Sequence, residues 1–177
     1  MNTDVNQGSN LSRAPIVSIV ARHSNSGKTT LLEKLLHETK KRGWRVAVVK
    51  HDAHEFEMDK PGKDTWRFAQ AGADVVAISS VHKMAIIETR EFERALDEVL
   101  ERLPEVDLIF TEGYKHGDKP KIEVFRSEVH KELFTKPEEL IAIVSDVQFD
   151  VGVPCFDLDD AAGICDFLAE KYRIKKS

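Results

Sequence analysis

The sequence predicts an α/β fold, a three-layer sandwich built on a mostly parallel sheet. Three observations predict it. Short β-branched apolar runs recur along the chain without polar alternation, as strands buried on both faces do. Helical-period amphipathic stretches lie between them. The first strand, helix and strand together fill residues 16–50, the compass of one βαβ unit with a right-handed crossover.

The elements follow in order. Residues 1–14 are polar, aperiodic and rich in Asn and Ser, the composition of a loose tail. A single ordered domain, residues 15–177, is expected to follow. Residues 16–21, IVSIVA, are too short for a helix and read as a buried strand. From Lys28 a helix begins, with Leu31, Leu32, Leu35 and Leu36 on one stripe. Gly43 is placed to stop it. Residues 45–50 read as a second buried strand, paired in parallel with the first. Residues 64–71 read as a helix closed by Gly72, and residues 75–79 and 84–88 as two short strands. Phe92, Leu96, Val99, Leu100 and Leu103 mark a further helix ended by Pro104. Residues 106–111, 122–125, 140–144 and 153–156 are strand-like, and residues 161–172 close the chain as a helix.

Composition bounds the function. Among 177 residues, 26 Lys and Arg face 31 Asp and Glu, a net charge of -5, which argues against wrapping nucleic acid by bulk charge. Cys155 and Cys165 are the two cysteines, too few for a disulfide scaffold and in keeping with a reducing compartment. No run nears the ~20 apolar residues of a membrane span, and the N-terminus lacks an apolar signal core. A cytoplasmic protein is expected.

The chemistry lies in the turn between first strand and first helix: Ser24, Asn25, Ser26, Gly27, Lys28, Thr29 and Thr30. Gly27-Lys28-Thr29 is the end of a P-loop, in the strand–turn–helix setting such a loop needs. Backbone N–H groups and the helix dipole converge there on an anion. Gly27 permits a conformation and a close approach that a side chain would block. Lys28 reaches terminal phosphate oxygens, and the Thr29 hydroxyl suits Mg²⁺, a hard cation that prefers oxygen. The fold is therefore read as P-loop NTPase-like. Arg22 stands where the full pattern has its first glycine; it either points outward or adds charge beside the nucleotide.

Ligands of open α/β sheets lie at the carboxyl ends of strands. Glu112, ending one strand, is the expected metal-side carboxylate, direct or through water. Asp107 begins the same strand, roughly 16 Å away at the wrong edge. The polar segment after the second strand carries Asp52 and Asp59, either able to reach Mg²⁺ or orient water, and Asp52 is assigned to catalysis with Lys28 and Glu112. Lys60 and Lys63 are candidates for an anionic ligand. Zinc on His51 and His54, with His23 or His116, is a weaker alternative without thiolate or helical spacing. Asp146, after a strand, either reads the N1–H and amino group of guanine or forms a turn. Lys115, His116, Lys119 and Lys121 either receive a phosphate or face water.

Three strings, SNSGKTTL, KHDAHEFEMDKPGKDTWRFAQAGAD and IFTEGYKHGDKPKIEVFR, resemble those of the MobB family, the molybdopterin-guanine dinucleotide biosynthesis adaptor proteins. The resemblance spans about residues 15–170. It implies a GTP-binding P-loop protein with weak, Mg²⁺-dependent GTPase activity. It also implies a homodimer that works with the guanylyltransferase attaching GMP to molybdopterin, and so contact with molybdopterin or its guanine dinucleotide. Carried over, residues 24–30 form the phosphate loop, Thr29 holds Mg²⁺ and Glu112 is the strand-end acid.

Two other classes stay open. A P-loop small-molecule kinase would need an arginine-rich lid, whereas Arg67, Arg90, Arg94 and Arg126 are scattered. A binding module without turnover would use nucleotide only to set a docking conformation.

Overall fold

The computed structural model describes residues 14–52 and 56–175. In chain order its elements are β1 (Ile16–Val20), α1 (Lys28–Lys41), β2 (Val46–Lys50), α2 (Asp64–Gln70), β3 (Val75–Ser79), β4 (Met84–Glu88), α3 (Leu96–Leu100), β5 (Leu108–Glu112), β6 (Lys121–Phe125), β7 (Leu140–Ser145), β8 (Cys155–Phe156) and α4 (Ala161–Tyr172). Where the sequence suggested one domain, the described residues divide into two compact units. One is formed by residues up to His51 and from Pro104 onward, the other by Asp52–Leu103.

The first unit holds a six-stranded sheet in the order β2-β5-β1-β6-β7-β8, every neighbouring pair parallel. This corrects one expectation: β1 and β2 are not partners, because β5 pairs with both and lies between them. The apolar runs demand burial on two faces but do not name the neighbour.

On one face α1 and α4 pack together. Leu31, Leu32 and Leu35 of α1 and Ile164, Cys165 and Leu168 of α4 enclose a core with Val17, Ile19, Leu108, Phe110, Ile122 and Val144. Strand alternation turns the intervening side chains to the other face. There the Ser18 and Thr111 hydroxyls bond at 2.7 Å, and Phe125, Leu140 and Ile143 gather Leu133 and Phe149. Over β6 and β7 this second cover is irregular chain, not helix, and it is tied down by buried charge. The Glu123 carboxylate accepts the Phe134 and Thr135 backbone N–H groups at 3.0 and 2.9 Å. Lys121 is buried, donates to the Gly117 carbonyl and pairs with Glu139.

Local signals decide the helix ends. Gly43 adopts a left-handed φ of 77°, and the Trp44 N–H reaches back to the Thr39 carbonyl at 3.1 Å, the Schellman closure of α1. Arg42 then joins the two helices, donating to Glu38, to Asp166 at 2.6 Å and to the Ala162 carbonyl. Burial pushes the Cys165 thiol up to about 12, so it behaves as a small core hydrophobe.

In the second unit β3 and β4 form an antiparallel hairpin, with α2 against β3. The helix expected over residues 92–103 shortens to Leu96–Leu100. Glu88 of β4 pairs with arginines on both sides of it, Arg90 and Arg94 before the helix and Arg102 after it. Ala95 leaves the helical region with φ -60° and ψ 147°. The strand expected over 153–156 keeps only Cys155–Phe156. Pro154 has no N–H for the ladder, although its carbonyl accepts the Ile143 N–H at 2.9 Å.

Leu35 is fully buried between α1 and the sheet. Leu35→Ala is expected to destabilise the protein by about 2–5 kcal/mol through lost burial and a residual cavity, read as a lower urea midpoint at an unchanged slope.

Candidate functional site

The first strand and its two neighbours converge at the carboxyl edge of the sheet. β1 lies between β5 and β6; the chain runs from β1 to β2 on the β5 side and from β5 to β6 on the other. This is the topological switch point where α/β sheets open a crevice. The loop from β1 enters it. Asn25 and Gly27 take left-handed φ values of 60° and 91°, which turns successive N–H groups toward a common concavity. α1 starts with no side-chain cap and no acid in its first turn. Its first intrahelical bond is Leu31 N–H to the Gly27 carbonyl, 2.9 Å. By contrast, α4 is capped by Asp160 on the Gly163 N–H. The α1 terminus therefore keeps its N–H groups and positive dipole end for an anion.

Lys28 lies over this loop, donating to the His23 carbonyl at 3.3 Å. Burial pushes its ammonium below the usual lysine range; Lys115 and Lys50 add to this and Glu112 opposes it. Three cations thus crowd one carboxylate at the loop. Thr29 Oγ1 donates to Glu112 Oε1 at 3.4 Å, a long hydrogen bond that brings two hard oxygen donors together. Glu112 is set by the register of β5 with β1 and β2, opposite Ile19 and Lys50. The next residue allows no alternative: Gly113 has φ 101°, and a Cβ there would sit 2.4 Å from the His51 carbonyl oxygen. A side chain at 113 would push apart the ends of β5 and β2 and carry Glu112 with them.

A second set of contacts holds the loop from the β6 side. Ser26 is fully buried. Its hydroxyl donates to the His23 carbonyl at 2.8 Å and meets His130 Nε2 at 3.0 Å. His130 Nδ1 accepts the Arg126 backbone N–H at 3.1 Å. Nε2 therefore carries the proton, and the ring is a neutral donor to Ser26. His23 stacks on it, centroids 5.6 Å apart and planes 8° from parallel. The Arg126 side chain donates from Nε to the Ser26 carbonyl at 3.3 Å.

Residues 16–146 match the family MobB, molybdopterin guanine dinucleotide synthesis protein B. The chain belongs to the MobB family. It is 36% identical over 166 residues to the molybdopterin-guanine dinucleotide biosynthesis adapter protein of Escherichia coli (strain K12), covering 88% of this chain and 92% of that relative. A relative of the same description from Haemophilus influenzae is 34% identical over 156 residues, 87% of each chain. The crystal structure of Bacillus subtilis MobB superposes with a TM-score of 0.71 at 28% identity, covering 92% of this chain and 99% of that one. A crystal structure of molybdopterin-guanine biosynthesis protein B gives 0.66 at 33% identity, over 88% and 99%. The α/β architecture read from the sequence is thus that of MobB structures.

Within this MobB-family chain, the loop residues 24–30, Lys28, Thr29 and Glu112 come together as the sequence suggested. Of the other candidates, Asp52 and Asp59 belong to the second unit and the rest make their own bonds in the first. Asp52 is exposed and opens the second unit. Asp59 serves its own turn, accepting the Lys60 N–H and the Thr65 hydroxyl. Arg22 points away from the loop to Glu132 at 2.8 Å, which decides its role as a surface ion pair. Asp107 accepts the Arg45 N–H at 2.7 Å, at the opposite edge. Asp146, just past β7, accepts the Ser127 N–H and hydroxyl at 2.9 and 3.0 Å, bonds that hold its carboxyl below the usual range.

The basic cluster separates. Lys115 reaches the loop, donating to the Arg22 carbonyl at 3.0 Å, whereas Lys119 pairs with Asp118 and Lys121 is buried at the start of β6. Among the described residues no group of three His, Cys, Asp or Glu could hold a metal ion; His54 lies outside them. Sequence reasoning counted Arg126 only among scattered arginines and passed over His130. Arg126 carried the same signal as Glu112, a charge at a strand's carboxyl end. His130 carried none, since it meets Ser26 across 104 positions.

Burial, then the nearness of His23, pushes the His130 pKa below its usual value; Arg22 adds to this and Glu123 opposes it. The folded state thus resists protonation that the unfolded chain accepts near pH 6.5. Stability is full above that pH and falls as pH drops from about 6.5 toward the folded pKa. Urea unfolding between pH 7.5 and 5.5 is expected to show this fall in the wild type and a flatter profile in His130→Gln. Equal slopes in the two proteins would refute it.

Proposed function

We propose that this chain is a GTP-binding adapter of molybdopterin-guanine dinucleotide biosynthesis, with slow Mg²⁺-dependent GTPase activity. One observation carries the nucleotide part: an uncapped α1 terminus behind a left-handed Gly27, with Lys28 above it and Thr29 bonded to Glu112. Loop N–H groups and Lys28 bind the phosphates. Thr29 and Glu112 fit Mg²⁺ by their donor chemistry, two oxygens and no soft ligand; bound there, the ion would neutralise phosphate charge. Asp52 is the residue proposed to orient water. Asp146 is exposed and each of its oxygens keeps a second lone pair, so it remains the proposed reader of guanine. The adapter role rests on the relatives' descriptions, and the cytoplasm is its proposed setting. Its proposed partners are the molybdopterin guanylyltransferase and molybdopterin or its guanine dinucleotide. The kinase alternative is weakened by the ion pairs that engage Arg90 and Arg94 with Glu88.

Calorimetric titration with non-hydrolysable GTP and ATP analogues and Mg²⁺ tests this reading. Binding of GTP but not ATP, abolished in Lys28→Ala at an unchanged unfolding midpoint, is expected. Equal binding of both nucleotides would sink the guanine preference, and undiminished affinity in Lys28→Ala would move the phosphate site elsewhere.

A homodimer belongs to the same proposal. The hairpin presents Val75, Ile78, Met84 and Ile86 to solvent, with Phe68 and Val81 also exposed, an apolar density that marks association surfaces. Among the described residues its two strands pair only with each other, leaving outer edges on which a second copy can add. Light scattering after size exclusion should give twice the chain mass, reduced to the single-chain value by Met84→Asp combined with Ile86→Asp. A wild-type monomer would exclude the dimer.

A further inference from the structure

We propose that Arg126 is a phosphate-binding residue of this nucleotide site, supplying a second cation on the side of the loop opposite Glu112. The inference rests on the nucleotide reading above and extends it.

Arg126 immediately follows β6, the strand beside β1 on the side away from β5. The two neighbours of the phosphate-loop strand therefore end in opposite charges, Glu112 on β5 and Arg126 after β6. The guanidinium lies against the loop itself. A Cβ placed on Gly27 would come within 3.2 Å of both Arg126 Nε and Nη2, so the glycine makes room for the arginine as well as for the turn. The side chain is half-buried, and among the described residues one of its five donors is engaged, Nε to the Ser26 carbonyl at 3.3 Å. Among the described residues no carboxylate stands within ion-pair distance of it. Arg22, by contrast, has Glu132, and Arg42 has Glu38 and Asp166.

Asp146 and Asp159 act on Arg126 only from beyond ion-pair distance. A partly desolvated cation so loosely paired is costly unless an anion completes it. The anion this edge is built to receive is phosphate, which a guanidinium grips through parallel N–H donors. Two contacts with one histidine fix the arginine's backbone. The Arg126 N–H donates to His130 Nδ1, and its carbonyl accepts the His130 N–H at 2.8 Å. The same histidine holds Ser26. Because Thr29 and Glu112 stand on the β5 side, the terminal phosphate and its metal belong there. Arg126, on the β6 side, takes an inner phosphate, one that GDP and GTP share.

Calorimetric titration of wild type, Arg126→Gln and Arg126→Lys with GTP and with GDP in Mg²⁺ tests the assignment. Arg126→Gln should lose about 10- to 100-fold in affinity for both nucleotides by about the same factor, and Arg126→Lys less, since it keeps the charge but not the fork. The unfolding midpoint without nucleotide should be unchanged in Arg126→Lys, where a purely structural arginine would lower it and leave the affinities intact. Wild-type affinity in Arg126→Gln, or a loss confined to GTP, would overturn the assignment while leaving the nucleotide reading standing. A wild type that binds neither nucleotide would overturn both.

Discussion

One constraint organises this molecule: a helix N-terminus whose N–H groups are left unpaired must be held open at the carboxyl edge of a buried parallel sheet. Helix α1 has neither a side-chain cap nor an acid in its first turn, and Lys28, Lys50 and Lys115 repel one another around it. Left to itself such an edge is electrostatically unfavourable. It persists because the surrounding structure allows the loop no other path. Ser26 is buried and bonded at both ends of its hydroxyl, Gly27 accepts the left-handed turn, and Gly113 brings the ends of β5 and β2 close enough to seat Glu112. Under the nucleotide reading proposed above, a bound anion would relieve the charge that the fold has gathered.

The overall charge of -5 conceals this arrangement. Acidic residues elsewhere are consumed in structure: Glu123 and Glu139 hold the irregular cover of β6 and β7, Glu88 binds three arginines in the second unit, and Asp160 caps α4. What remains at the phosphate loop is mostly positive. That charge suits the small polyanion of the proposed function, while the net charge of the protein is not the strongly basic one of a nucleic-acid-wrapping domain.

Much of the fold was legible because its cues are local. Buried strands read as apolar β-branched runs, and α1 and α4 read as leucine and isoleucine stripes, since burial and helical period act over a few residues. The errors fell where distant contacts overrode local preference. The residues before α3 have a helical pattern, but Glu88 pairs with arginines on both sides of the helix, which forms only over Leu96–Leu100. β1 and β2 have the spacing of a paired unit, but β5 inserts between them, and nothing in either strand records that neighbour. The basic string after Glu112 looks uniform, yet Lys121 is buried against Glu139 while Lys115 serves the loop.

By itself the sequence determined that a glycine turn stands between a buried strand and a helix, because the residue types and their spacing are that turn's physical requirements. It also determined the family, through strings too particular to arise from burial alone. Only the tertiary structure decided which side chains complete the turn. Glu112 reaches Thr29 across 83 positions, His130 reaches Ser26 across 104 and Arg126 reaches Ser26 across 100. The order of parallel strands makes these approaches, and that order is set by how two faces of one sheet are buried together, which no single segment encodes.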